Sequence, residues 1–130
     1  GQLDDEAGML AMQRINVTVL RSLFLVSLFL LLPGLLGAGW LTVSREEGPG
    51  GWVLGAALLY LLGVVGVTML RNVPMNEQLD RVVVDGDARE KARYWRHYLR
   101  HWTRWNHVRS GASAATAALL LLAAMELVAR

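Results

Sequence analysis

The chain has 130 residues, 54% of them hydrophobic, with a mean hydropathy of +0.34 and no cysteine. These values admit one domain, taken as residues 1–130, and exclude a disulfide scaffold. The formal charge of +2 says little about partners, because the basic residues crowd one side of the predicted membrane; no nucleic-acid partner is expected.

From the N-terminus, LDDEAGMLAMQRINVTVL predicts a helix ahead of the first span, with Met9, Met12, Gln13, Asn16, Val19 and Leu20 on one broad face at 100° per residue. Gln13 and Asn16 place two amides on that apolar face, and each is expected either to bond a neighbouring helix or to serve a site. Apolar runs follow at approximately 22–43, 50–70 and 110–128, uncharged except that the third is charge-free only from Ser110 to Met125. The first two are long enough to cross roughly 30 Å of hydrocarbon, and the third, shorter by about a turn, is read with them as a span. The predicted fold is therefore an all-α integral membrane helical bundle, with three spans in this chain and helices extending into the cytoplasm. No secretory signal is evident, since the run from Ser22 is too long and lacks a small-residue cleavage pattern.

Pro33 and Gly34 are expected to kink the first span. Gly51 and Gly55 at GxxxG spacing, then Gly63, Gly66 and the GASAATAA opening of the third span, predict close helix approach within the chain or between copies. In RNVPMNEQLD, Asn72 is expected to cap a new helix with Pro74 in its first turn, and Asn72 and Asn76 share a face. Asp85, Gly86 and Asp87 predict a turn, and Asp87 with Glu90 a capping box for an amphipathic helix over 87–109. The loop SREEGPGG holds one arginine, whereas nine basic residues from Arg71 to Arg109 separate the second and third spans. The positive-inside rule therefore puts 71–109 in the cytoplasm, and a bacterial inner (plasma) membrane is the expected location.

YWRHYLRHWTRWNHVR, residues 94–109, holds three of the five tryptophans and all three histidines. On a wheel centred on Trp95, the residues Leu99, Trp102 and Asn106 lie within about 40°, flanked by Tyr98, Trp105 and Arg109. Arg93, Arg96, Arg100, Arg104 and His107 occupy the opposite arc. An interfacial tryptophan belt explains Trp105 but not Trp95, which an unbroken helix would carry roughly 24 Å beyond Gly111. The aromatic stripe is thus expected to face protein, with the Met9, Gln13, Asn16 and Leu20 face as its partner. The alternative is a helix that bends at Gly111 and lies flat on the bilayer. His97 and His101 have ligand spacing without a third ligand in register, so they read as surface histidines and no metal is expected.

AMQRIN at 11–16, RNVPMNEQLD at 71–80 and the 94–109 stretch, in that order with small apolar spans between, resemble the anthrone oxygenase-like family of small integral membrane proteins. The resemblance implies a four-span helical pattern whose first span precedes the AMQRIN region, so one further span is expected upstream of the three in this chain. It also implies oxidation of an anthrone-like or quinol-like lipophilic aromatic without an organic cofactor or metal. Matched position by position, it implies Asn106, Arg109 and Asn76 as catalytic residues and Gln13, Asn16, Asn72, Trp95, Trp102 and Trp105 as substrate-binding residues. Asp80 and His107 are the general-base options, with His107 ranked low for its place on the wheel. The competing reading is a noncatalytic membrane subunit, in a homo-oligomer or larger complex, whose Trp and Asn face is core. A cavity at Trp102, Asn106 and Arg109 would separate the two.

Overall fold

The computed structural model describes residues 2–20, 23–45, 48–82 and 87–129. Four helices, with no strand among the described residues, make up the chain: α1 (Gln2–Leu20), α2 (Leu23–Ser44), α3 (Gly50–Asp80) and α4 (Ala88–Val128). The last three are long and apolar enough to cross a membrane, so the fold is the all-α membrane bundle that the uncharged runs predict. Helix α3 lies between α2 and α4, and α1 packs across the ends of the other three.

Helix α4 has 41 residues, about 61 Å at the α-helical rise and twice the thickness of the hydrocarbon. It runs without a break through Gly111, which supports the upright reading over the flat one. Its start is set by Asp87, whose carboxylate accepts from the Arg89 backbone N–H at 3.1 Å. This is a side-chain cap of the predicted kind, although it reaches Arg89 rather than Glu90. The turn expected at Asp85 and Gly86 lies outside the described residues.

The expectation for Asn72 is corrected. Asn72 starts no helix; it has helical φ and ψ, makes no capping bond, and lies inside α3. Pro74 lacks an N–H and its ring crowds the carbonyl one turn earlier. The helix widens to π turns over Tyr60–Gly66 and again over Thr68–Asn72, and the second of these, next to the proline, accommodates it. The Val73 N–H bonds back to Thr68 O, five residues earlier, and the Thr68 hydroxyl donates to Val64 O at 2.6 Å. Helix α2 likewise continues through Pro33.

Two cores hold the bundle. In the spans, Leu28 and Leu35 of α2 meet Ala57, Tyr60, Val64 and Val65 of α3, and the Tyr60 hydroxyl donates to Leu28 O at 2.9 Å. Gly63 makes the closest approach: a Cβ there would collide with the Ala112 Cβ on α4. The GxxxG pair does not serve this purpose within the chain. Gly51 has nothing within 4 Å of its missing Cβ and Gly55 only touches Leu119, because both sit on the outer side of α3. Leu30, Trp40, Leu58, Leu62, Leu121 and Met125 are exposed, as suits helices solvated by acyl chains.

Beyond the spans, Met9, Leu79, Trp95 and Tyr98 form the second core. Trp95 packs against Gly8, where a Cβ would come within 2.9 Å of its ring, and stacks on Tyr98 with centroids 5.5 Å apart. The aromatic stripe thus faces protein, and its partner is the Met9 face of α1. One member departs from the expected pattern: Leu99 is exposed. Helices α1 and α3 approach α4 on the Ala92, Trp95 and Tyr98 side, which moves the centre of the buried stripe from Leu99 to Tyr98. Arg93, Arg96, Arg100 and Arg104 are exposed as expected. Arg96 pairs with Asp5 at 3.2 Å and Lys91 with Glu6 at 3.8 Å, surface links worth ~0–1 kcal/mol each.

Candidate functional site

Between the two cores, side chains from all four helices line a partly open space of about 320 Å³, within the range of small-molecule sites. Helix α3 supplies one wall. Thr68, Asn72 and Asn76 recur every fourth residue, so the widened helix presents all three to the cavity. Helix α4 contributes Trp102 and Arg109, and α1 contributes Met12, Asn16 and Val19. The lining is mostly apolar, with a few polar groups converging on it.

Two of those polar groups are anomalous. Both amide atoms of Asn72, a residue 3% exposed, and the indole Nε1 of Trp102 are buried without a hydrogen-bond partner. An unmade hydrogen bond of this kind costs ~1–3 kcal/mol. The other polar residues are anchored from behind. The Tyr98 hydroxyl donates to Asn76 Oδ1 at 2.9 Å, so Nδ2 is the donor that remains to Asn76. Asn16 Nδ2 donates to Asp80 Oδ1 at 3.4 Å, which joins the cavity wall to a surface carboxylate. Arg109 donates to Asn106 Oδ1. Burial, then Asp80 and Tyr94, raise the Tyr98 phenol above its ordinary value and keep it a donor.

The residues inferred from sequence therefore separate into two sets. Asn16, Asn72, Asn76, Trp102 and Arg109 are brought together around one space. Asn106 stands behind Arg109 and orients it. Gln13 donates to Leu79 O at 2.9 Å and ties α1 to α3, the structural role open to it. Trp95 belongs to the outer core, and Trp105 lies on another face of α4 with Arg71 stacked 4.8 Å from its ring centroid. These three do not line the cavity, because helical spacing places a residue on a face without saying which neighbour covers that face. His107 is exposed and absent from the lining. His97 and His101 are exposed, stacked 4.1 Å apart, and held by a 2.9 Å bond from His101 Nδ1 to His97 O. No cluster of three or more potential metal ligands occurs among the described residues. Sequence reasoning missed Thr68, whose four-residue spacing from Asn72 was the available signal.

Arg109 also borders a second space of about 440 Å³ between α2, α3 and α4, lined by Ser27, Leu31, Tyr60 and Ser113 among others. One guanidinium is thus shared between the inner cavity and a cleft at the level of the spans.

No curated protein and no solved structure matches the chain. The family profile described as anthrone oxygenase matches residues 9–119, a stretch that begins at Met9 of the outer core and contains every residue of the cavity. By that match over most of its length, the chain belongs to the anthrone oxygenase family.

Proposed function

We propose that the cavity binds a flat, lipophilic aromatic with an acidic C–H or O–H, an anthrone or a hydroquinone, and promotes its oxidation by molecular oxygen. The observation that carries this reading is the pair of buried, unpartnered polar groups, the Asn72 amide and the Trp102 indole N–H, on an otherwise apolar wall. A planar ligand with oxygen at its rim would fill the space and complete both. Family membership supports the same chemistry at the level of the family.

For an anthrone, Asp80 is the base: it lies behind Asn16 and outside the lining, so it would take the C–H proton through an intervening water. The enolate oxygen that develops is held by donors from this wall, Trp102 Nε1–H, the Asn72 and Asn76 amide N–H groups and Arg109. The enolate transfers one electron to oxygen, and the radical pair closes a C–O bond to give a peroxide that takes a proton. Loss of the second hydrogen on that carbon as a proton, with cleavage of O–O, leaves a carbonyl and water. One anthrone and one oxygen give one anthraquinone and one water. Arg109 suits the site because its planar fork can accompany both the enolate and the nascent superoxide. The cleft between α2 and α4 is the entry route for a substrate dissolved in the bilayer.

The same reading sets residues 71–109 in the cytoplasm of a bacterial inner membrane, supported by the basic residues between Arg71 and Arg109. Cysteine labelling at position 89 tests it: modification only from outside the cell would reverse the orientation. The reaction is tested by oxygen uptake with a panel of anthrones and hydroquinones, using ¹⁸O₂ to follow the label. An anthrone substrate should acquire one labelled carbonyl, and a hydroquinone should give peroxide and an unlabelled quinone. Absence of uptake across the panel would favour a noncatalytic subunit.

A further inference from the structure

A third space, of about 350 Å³, lies on the opposite side of α3 from the candidate site, between the N-terminal half of α4 and the segment from Leu70 to Gln78. Arg71, Gln78, Tyr94, His97, His101 and Trp105 line it, and none of its lining residues is a carboxylate. The proposed oxidation gives this space no role.

Its level in the membrane follows from one contact. Arg71 is the first charge after the uncharged run of α3, and Trp105 stands four residues ahead of Arg109, the last charge before the uncharged run of α4. The Arg71 guanidinium stacks over the Trp105 ring at 4.8 Å, so the hydrocarbon boundaries on two antiparallel helices coincide there. Arginine and tryptophan at that depth are at the phosphates of a bilayer. Leu70, 74% exposed, forms the lip on the hydrocarbon side, where an acyl chain would pass. The other end holds donors: the Gln78 amide, the Tyr94 hydroxyl and the two stacked imidazoles.

We propose that this space is a binding site for the phosphate headgroup of an anionic phospholipid, with Arg71 as the charge partner, Gln78 and the His97 and His101 pair as further contacts, and the acyl chains lying over Leu70. Basic pockets between spanning helices hold anionic headgroups in this way, and each nearby basic residue contributes ~1 kcal/mol. The site is separate from the redox cavity and does not depend on it. The orientation proposed above bears only on which leaflet supplies the lipid.

Native mass spectrometry of the full chain in detergent, titrated with phosphatidylglycerol or phosphatidylcholine, tests the site. Phosphatidylglycerol should be retained in preference, and Arg71→Gln should weaken it about fivefold, the equivalent of one basic contact. The double variant His97→Gln, His101→Gln should also weaken it, which keeps the test available if Arg71→Gln fails to fold. Arg100→Gln, on the opposite arc of α4, should leave retention unchanged. Equal retention of the two lipids, or an Arg100→Gln loss as large as that of Arg71→Gln, would mean a diffuse basic surface and overturn the site. Displacement of the lipid by millimolar inorganic phosphate would overturn it in favour of a soluble anion.

Discussion

Replacing Asn72 with leucine should make the protein more stable and less active. Asn72 is 3% exposed, and neither its amide nitrogen nor its amide oxygen has a hydrogen-bond partner within the protein. Leaving a buried polar group unsatisfied costs ~1–3 kcal/mol, whereas an apolar side chain of similar size carries no such penalty. Leucine also favours the helix over asparagine by roughly 0.5 kcal/mol. The surroundings, Val73, Met12 and the face of Trp102, can accept it. The expected gain is about 2 kcal/mol, measured as an increase in unfolding free energy in mixed detergent and dodecyl sulfate micelles. Turnover of an anthrone should fall roughly a hundredfold in the same preparation, as when one donor to a developing oxyanion is lost. If Asn72→Leu is instead less stable than the parent, the amide is satisfied in the folded protein and the argument from its isolation fails.

Thr68→Val, one turn earlier on the same wall, should have the opposite sign: it removes the bond to Val64 O, so a loss of about 1 kcal/mol is expected in the same unfolding assay. Arg109→Lys and Asn106→Ala should each lower turnover at least about tenfold with folded yield unchanged, because lysine keeps the charge without the planar fork and Asn106 orients that fork; oxygen uptake at parental rates in both would remove them from the reaction. Gly63→Leu must force α3 from Ala112 and should cost about 1–3 kcal/mol, whereas Gly51→Ala meets open space and should stabilise by up to ~1 kcal/mol, both read by thermal unfolding. The Tyr98 phenol titrates above its ordinary value in the fold, so its contribution is complete below about pH 10 and is lost as pH rises beyond that value. Tyr98→Phe should flatten that alkaline limb in a pH series of unfolding midpoints.

Much of this architecture is legible in the sequence, for a local reason. Membrane spans follow from composition, since every backbone polar group in hydrocarbon must be satisfied within its own helix; hence the runs at 22–43, 50–70 and 110–128 announce helices α2, α3 and α4 without knowledge of any neighbour. Wheel positions likewise separate Arg93, Arg96 and Arg100 from Trp95 and Trp102, because 100° per residue is a property of the helix alone. The tertiary structure decides what those faces meet. Only packing shows that Gln13 is consumed by Leu79 O while Asn16, three residues on, reaches the cavity. Only packing shows that Trp105 turns to Arg71 while Trp102, three residues earlier, closes the site with its N–H unpaired. Pro74 read locally is a helix start, but in the bundle it is absorbed by π turns. Continuing α3 keeps its contacts with α1 and α4, and that continuation carries Thr68, Asn72 and Asn76 onto one wall. Periodicity specifies a direction from a single helix axis, whereas a cavity is defined by several axes at once, and their relative placement is set by close approaches such as Gly63 to Ala112 and Gly8 to Trp95.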